Sequence, residues 1–186
     1  MGYKIISNKK RHGAMTLPEM MVAIALGSIV FLAVGSLTLY SARSFSSMVN
    51  YSDLNQTSRT SLDYMTLGIR QSRGLQSRTP TNLVFKLDAA GSNLLTYTWN
   101  QSSKTLFQVT TTGTNIVTDT LLTNCTFWTN ETFQRNTVSN SFALVSTTNP
   151  ALTKLIQLNW TCAERRVNAT NTESIQSMKI VIRKKG

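Results

Sequence analysis

Residues 9–42 read KKRHGAMTLPEMMVAIALGSIVFLAVGSLTLYSA. From Met20 to Ala42 there are 23 residues without a charge. About 20 apolar residues in helical form cross the hydrocarbon core of a bilayer, and a secretory signal has a shorter apolar centre of about 7–15. The run therefore reads as a membrane-spanning helix. Lys9, Lys10, Arg11 and His12 precede it, and only Arg43 follows closely. By the positive-inside tendency the N-terminus stays in the cytoplasm, and residues 43–186 lie outside.

Glu19 stands at the mouth of this run, directly after Pro18. One reading is a helix cap. Thr16 is then the N-cap and Glu19 lies three residues on. Pro18 sits in the first turn, where its missing N–H costs little. The carboxylate also suits the positive end of the helix dipole. A second reading, compatible with the first, is that an acid held at a membrane edge must find a cation. Left unpaired in apolar surroundings it costs several kcal/mol. Within the run, Gly27-Ser28 and Gly35-Ser36 read either as small-residue packing sites or as points of local melting.

Basic residues, then a small residue, then Met15-Thr16-Leu17-Pro18-Glu19 and a long apolar helix resemble the N-terminus of type IV pilins and type II secretion pseudopilins. The resemblance implies a leader peptide over residues 1–14. A prepilin peptidase would cut between Ala14 and Met15, and Met15 would then be N-methylated. Glu19, fifth in the mature chain, would set assembly register by neutralising the Met15 amine of a neighbouring subunit. The family usually carries Gly before the cut; here that position is Ala14, with Gly13 one step back.

Beyond Ala42 the apolar residues Phe45, Met48/Val49, Leu54, Ser58, Leu62, Met65 and Ile69 recur at helical steps with one intervening Ser. The helix is predicted to run from about 17 to 73, some 85 Å at 1.5 Å per residue, and to stop at Gly74 and Pro80. Arg59, Arg70 and Arg73 fall on one side, a candidate basic interaction face. From residue 82 the period changes to two. Strands are predicted at Leu83–Leu87, Asn93–Trp99, Lys104–Thr110, Asn115–Leu122, Cys125–Phe133, Phe142–Ser146, Lys154–Cys162 and Ile175–Arg183. Turn residues separate them, as at Thr112-Gly113-Thr114. Alternation means a half-buried antiparallel sheet, and its apolar face and the helix stripe cover each other. The expected fold is α+β: a long N-terminal helix, membrane-spanning in its first half, packed on an antiparallel β-sheet head. The expected organisation is a leader over 1–14, a spanning or filament-core helix over 15–42, its amphipathic continuation over 43–74 and the head over 75–186.

Cys125 and Cys162 both fall on strands, 37 residues apart. Cys162 shares parity with Ile156, Leu158 and Trp160, and Cys125 with Phe127. If both face the core from neighbouring strands they can form a disulfide; two buried thiols are the alternative. Closing such a loop is worth about 4 kcal/mol in the chain-entropy model.

The composition supports an exported protein. The chain of 186 residues has 20 Ser, 27 Thr and 15 Asn, about a third of the total, and only 15% charged residues. A charged fraction near 25% is usual for a soluble domain. The net charge is +11, and four of the 19 basic residues lie in the first 14. A single His, in the segment expected to be removed, leaves no His-based catalysis. No phosphate loop, nucleophile elbow or metal-ligand spacing appears. We therefore expect no enzyme and no cofactor.

Within the resemblance, Ile69-Arg70-Gln71-Ser72 before Arg73, Thr120-Leu121-Leu122 and a late strand ending in Ile182-Arg183 look most like the larger minor members, of the J or W kind. The function implied is a structural subunit of a type IV pilus or type II secretion pseudopilus. Its partners would be prepilin peptidase, other pilins, an inner-membrane assembly platform and, before assembly, membrane lipid. Its location would be the bacterial inner membrane, single-pass, with the head periplasmic or extracytoplasmic, and then the fibre. Two alternatives stay open: a competence-type minor pilin holding nucleic acid on its basic face, and an uncleaved single-span protein with an exported β-rich head.

Overall fold

The computed structural model describes residues 15–135, 144–166 and 169–182. The chain divides into two compact units, the first ending at Ser44 and the second beginning at Phe45. One helix, α1 (Leu17–Gln71), contributes to both.

In the first unit the helix leaves its apolar side chains outside. Leu17, Ile24, Phe31 and Leu37 are all well exposed, Phe31 at 79%. The hydroxyls of Ser28, Ser36 and Thr38 return to the carbonyls of Ala25, Ala33 and Gly35, each at 2.8 Å. This satisfies the small polar groups inside an apolar run. The helix passes Gly27 and Gly35 without a break.

In the second unit the helix packs against two antiparallel sheets, where a single sheet was expected. The first has the order β1 (Gly74–Arg78), β2 (Asn82–Lys86), β3 (Leu94–Asn100), β4 (Thr105–Thr112), β5 (Asn115–Leu122). It is a simple meander. Gly113, with φ +60, supplies the positive φ that the two-residue β4–β5 hairpin requires. The second has the order β7-β6-β8-β9, from β6 (Cys125–Arg135), β7 (Leu144–Ser146), β8 (Leu155–Arg166) and β9 (Ala169–Val181). The two sheets part at Thr123-Asn124, where Asn124 adopts φ 55 and turns the chain out of the first ladder.

The predicted helix face needs correction at its start. Leu54, Met65 and Ile69 are buried as expected, but Phe45, Met48 and Val49 are exposed. The buried stripe opens instead at Asn50, keeps Ser58 as expected and adds Ser61, and all three are polar. Each finds a partner. Asn50 Nδ2 donates to the Glu164 carbonyl at 3.1 Å, and Ser61 Oγ to the Leu121 carbonyl at 2.6 Å. Trp160 Nε1 donates to Ser58 Oγ at 3.4 Å. The helix thus bonds to both sheets.

Gly68 shows how closely it lies. A Cβ there would stand 2.5 Å from the Tyr97 hydroxyl and 2.8 Å from Leu95 Cδ2. Tyr97 is fully buried, edge-on to Phe85 at 6.0 Å. Burial pushes its phenol pKa up. Trp128 and Trp160 stack at 6.2 Å in the second sheet. The sheets are tied by Arg78 of β1, whose Nε donates to Asn130 Oδ1 of β6 at 2.7 Å. Asn130 Nδ2 in turn donates to the Thr79 and Pro80 carbonyls.

Two further differences have local causes. Strand β1 was not predicted, because Leu75 is its only apolar residue and a bulge lies between Leu75 and Ser77. Strand β9 starts at Ala169 rather than 175, since its first six residues are polar or small and show no alternation. The predicted residues Phe142 and Arg183 lie outside the described residues.

Candidate functional site

The first turn of α1 carries the residues singled out in the sequence. Thr16 begins the helix, and its carbonyl accepts the first helical bond from Met20 N–H at 3.1 Å. The Thr16 backbone N–H donates to Glu19 Oε2 at 2.8 Å, and its hydroxyl donates to the same oxygen at 2.9 Å. This is one half of a capping box: the acid reaches back to the cap residue, as its spacing requires. Leu17 and Pro18 occupy the two positions between, where no intrahelical N–H bond is lost.

Both bonds fall on Oε2, and Oε1 accepts no hydrogen bond among the described residues. Glu19 is exposed, as are Met15 and the turn around it. Met15, Pro18, Val22, Ala23 and Leu26 line the same groove as Glu19. Their three- and four-residue spacing puts them on one face of the helix. A carboxylate therefore sits within an apolar stripe, with both bonds of its cap on one oxygen. Ala14, the residue before the expected cut, lies outside the described residues.

The basic face is only partly brought together. Arg59 and Arg70 are exposed on the helix, eleven residues apart and hence on one side. Arg59 Nε donates to Asn55 Oδ1 at 2.9 Å. Arg73 does not belong to this strip by helical spacing. The helix ends at Gln71, and the Arg73 N–H already donates to the Lys86 carbonyl at 2.8 Å as the chain enters β1.

Cys125 and Cys162 lie directly opposite each other on β6 and β8, and both are buried. Both are thiols in the structure. Parity with Phe127 would have put Cys125 beside an exposed residue, since Phe127 is 51% exposed. A bulge between Cys125 and Phe127 reverses the parity, so that Cys125 points inward with Trp128.

An exposed apolar helix of this length, with a capped acid in its first turn and an α+β head, fits a protein anchored in a membrane by one N-terminal helix. The family model for the prokaryotic N-terminal methylation motif matches residues 9–35. Over that segment the chain is similar to type IV pilins, and the long apolar helix with an α+β head is consistent with that likeness. Such a motif implies processing by a prepilin peptidase and packing with other pilins. Among curated proteins and solved structures there is no significant match.

Proposed function

We propose that the chain is a structural, non-enzymatic subunit, of the minor kind, of a type IV pilus or type II secretion pseudopilus. The leader is removed between Ala14 and Met15 on the cytoplasmic face, the new amine of Met15 is methylated, and the head lies outside the membrane. The subunit then leaves the bilayer and packs its apolar helix among those of its neighbours. The observation that carries this reading is Glu19: an acid within an apolar stripe, with Oε1 not engaged by its own cap.

The physical logic is one of charge neutralisation. Once leader cleavage frees the Met15 amine, a cation and an anion both face apolar surroundings. Alone, each is costly to desolvate; together, in neighbouring subunits, they offset one another. The pairing fixes how far one helix sits along the next, because only one register brings amine and carboxylate together.

Mass spectrometry of the N-terminal peptide from the host membrane tests the reading directly. The expected peptide begins at N-methylated Met15. A protein that still begins at Met1 would overturn it and leave an uncleaved tethered ectodomain. The competence-type alternative draws on one observation, the exposure of Arg59 and Arg70 on a common face. It requires retention on DNA that falls with salt and is lost on charge reversal of Arg59, Arg70 and Arg73 together. Retention unchanged by that reversal would exclude this face as the DNA site.

A further inference from the structure

We infer that Cys125 and Cys162 are a built disulfide site, closed after export by a thiol–disulfide exchange protein that reaches Cys162 first. The oxidation step rests on the proposal that the head lies outside the membrane; the geometry of the pair does not.

The register establishes the pair. Cys125 of β6 faces Cys162 of β8 in an antiparallel ladder. The Ala163 N–H donates to the Asn124 carbonyl at 3.0 Å. That bond joins the residue after one cysteine to the residue before the other, so the cysteines occupy a non-hydrogen-bonded position. At such positions the Cα atoms stand about 4.5 Å apart, with side chains at their closest. A disulfide needs a Cα separation of about 4.4–6.8 Å, so the bridge can form without moving either strand far. The backbone of Cys125 is held on its other side as well. Its N–H donates to the Lys104 carbonyl at 2.7 Å, and its carbonyl accepts from Trp99 Nε1 at 3.1 Å.

The two cysteines differ in their surroundings. A cleft of about 250 Å³ is lined by Asp53, Thr57, Asn124, Glu164 and Cys162, and Cys125 does not reach it. The oxidant therefore meets Cys162. A hydrogen bond from the Cys162 thiol holds the Cys125 thiol below its ordinary range, against the opposing effect of burial, and Cys125 Sγ donates to the Phe127 carbonyl at 3.2 Å. Cys162 attacks the oxidant's disulfide, forming a mixed disulfide and releasing one oxidant sulfur as a thiol. Cys125 then attacks Cys162 Sγ, forming the Cys125–Cys162 bond and releasing the second. Two electrons pass to the oxidant, and the two thiol hydrogens end on its two sulfurs.

The full chain is taken from host membranes, denatured and alkylated without reductant, then digested. The expected product is a Cys125–Cys162 linked peptide, lighter than the two thiol peptides by two hydrogen atoms. Both cysteines alkylated, in protein whose head is cut by protease added outside intact spheroplasts, would overturn the inference. Both alkylated with the head protected would instead sink the export proposal. The purified full chain incubated with glutathione disulfide then decides the site: a linked peptide supports it and persistent thiols overturn it. In the same incubation Cys125→Ala should trap glutathione on Cys162, and Cys162→Ala should trap at least about tenfold less on Cys125. Equal trapping overturns the order of attack. Closing the loop should raise the thermal midpoint of the head by roughly 10 °C.

Discussion

Residues 17–44 and residues 45–71 are two stretches of one helix with opposite fates. In the first, Leu, Ile, Val and Phe are exposed all round. In the second, Leu54, Met65 and Ile69 are buried, with Asn50, Ser58 and Ser61 between them. The first stretch has more apolar surface and buries less of it. In the proposed function its cover is lipid and then neighbouring helices. The second has a narrower stripe, polar groups with assigned partners and a glycine placed for close approach. Hydrophobicity alone thus says that a segment will be covered. What covers it is set by whether its polar residues are spaced to meet a particular partner.

The largest effect expected from breaking this contrast is at Glu19. Glu19→Gln should abolish assembly while leaving membrane insertion intact, because stranding the neighbour's amine costs about 3–5 kcal/mol per contact, repeated at each subunit. Fractionation of sheared fibres against membranes measures it, and normal fibre incorporation would remove the acid from the assembly step. In the head, Trp160→Ala should cost about 3–5 kcal/mol in denaturant unfolding of the full chain, with loss of stacking on Trp128. A cost below about 1 kcal/mol would mean that this core tolerates a cavity.

Gly68→Ala should cost about 1–3 kcal/mol, since its methyl would meet the Tyr97 hydroxyl and Leu95. An unchanged unfolding midpoint would show that the helix can shift from the sheet. The same contact sharpens into a pH test. Burial raises the Tyr97 pKa above its ordinary value of 10.0. Above that pH the unfolded chain loses the phenolic proton and the folded chain keeps it. The stability is therefore full below about pH 10 and falls as pH rises beyond it. The buried hydroxyl has no hydrogen-bond partner among the described residues. Tyr97→Phe should accordingly be within about 1 kcal/mol of the parent at neutral pH and should lose less stability above pH 10. Parallel alkaline curves for parent and variant would remove Tyr97 as the source.

Much of this was legible in the sequence for a physical reason in each case. The spanning run, the cap at Thr16 and the return bond from Glu19 are local, fixed by composition and by a three-residue spacing. The strands with clear alternation, such as Ile156/Leu158/Trp160/Cys162, came out buried on the expected side. Hidden from it were features whose cause is distant in the chain. β1 has too few apolar residues to signal itself. The bulge after Cys125 reversed a parity that the alternation could not correct. Asn50 and Ser61 are polar by type and buried only because carbonyls from other strands meet them.

The sequence by itself therefore determined the anchor, its acid and the α+β class, because a charge-free run long enough for a bilayer and a change of period from 3.6 to 2 need no partner to be read. Only the tertiary structure decided that the strands form two sheets, that the helix comes close to one of them at Gly68 and that Cys125 faces Cys162. Each of these depends on which backbone groups pair across dozens of residues, a choice made by packing and hydrogen-bond geometry rather than by any local preference.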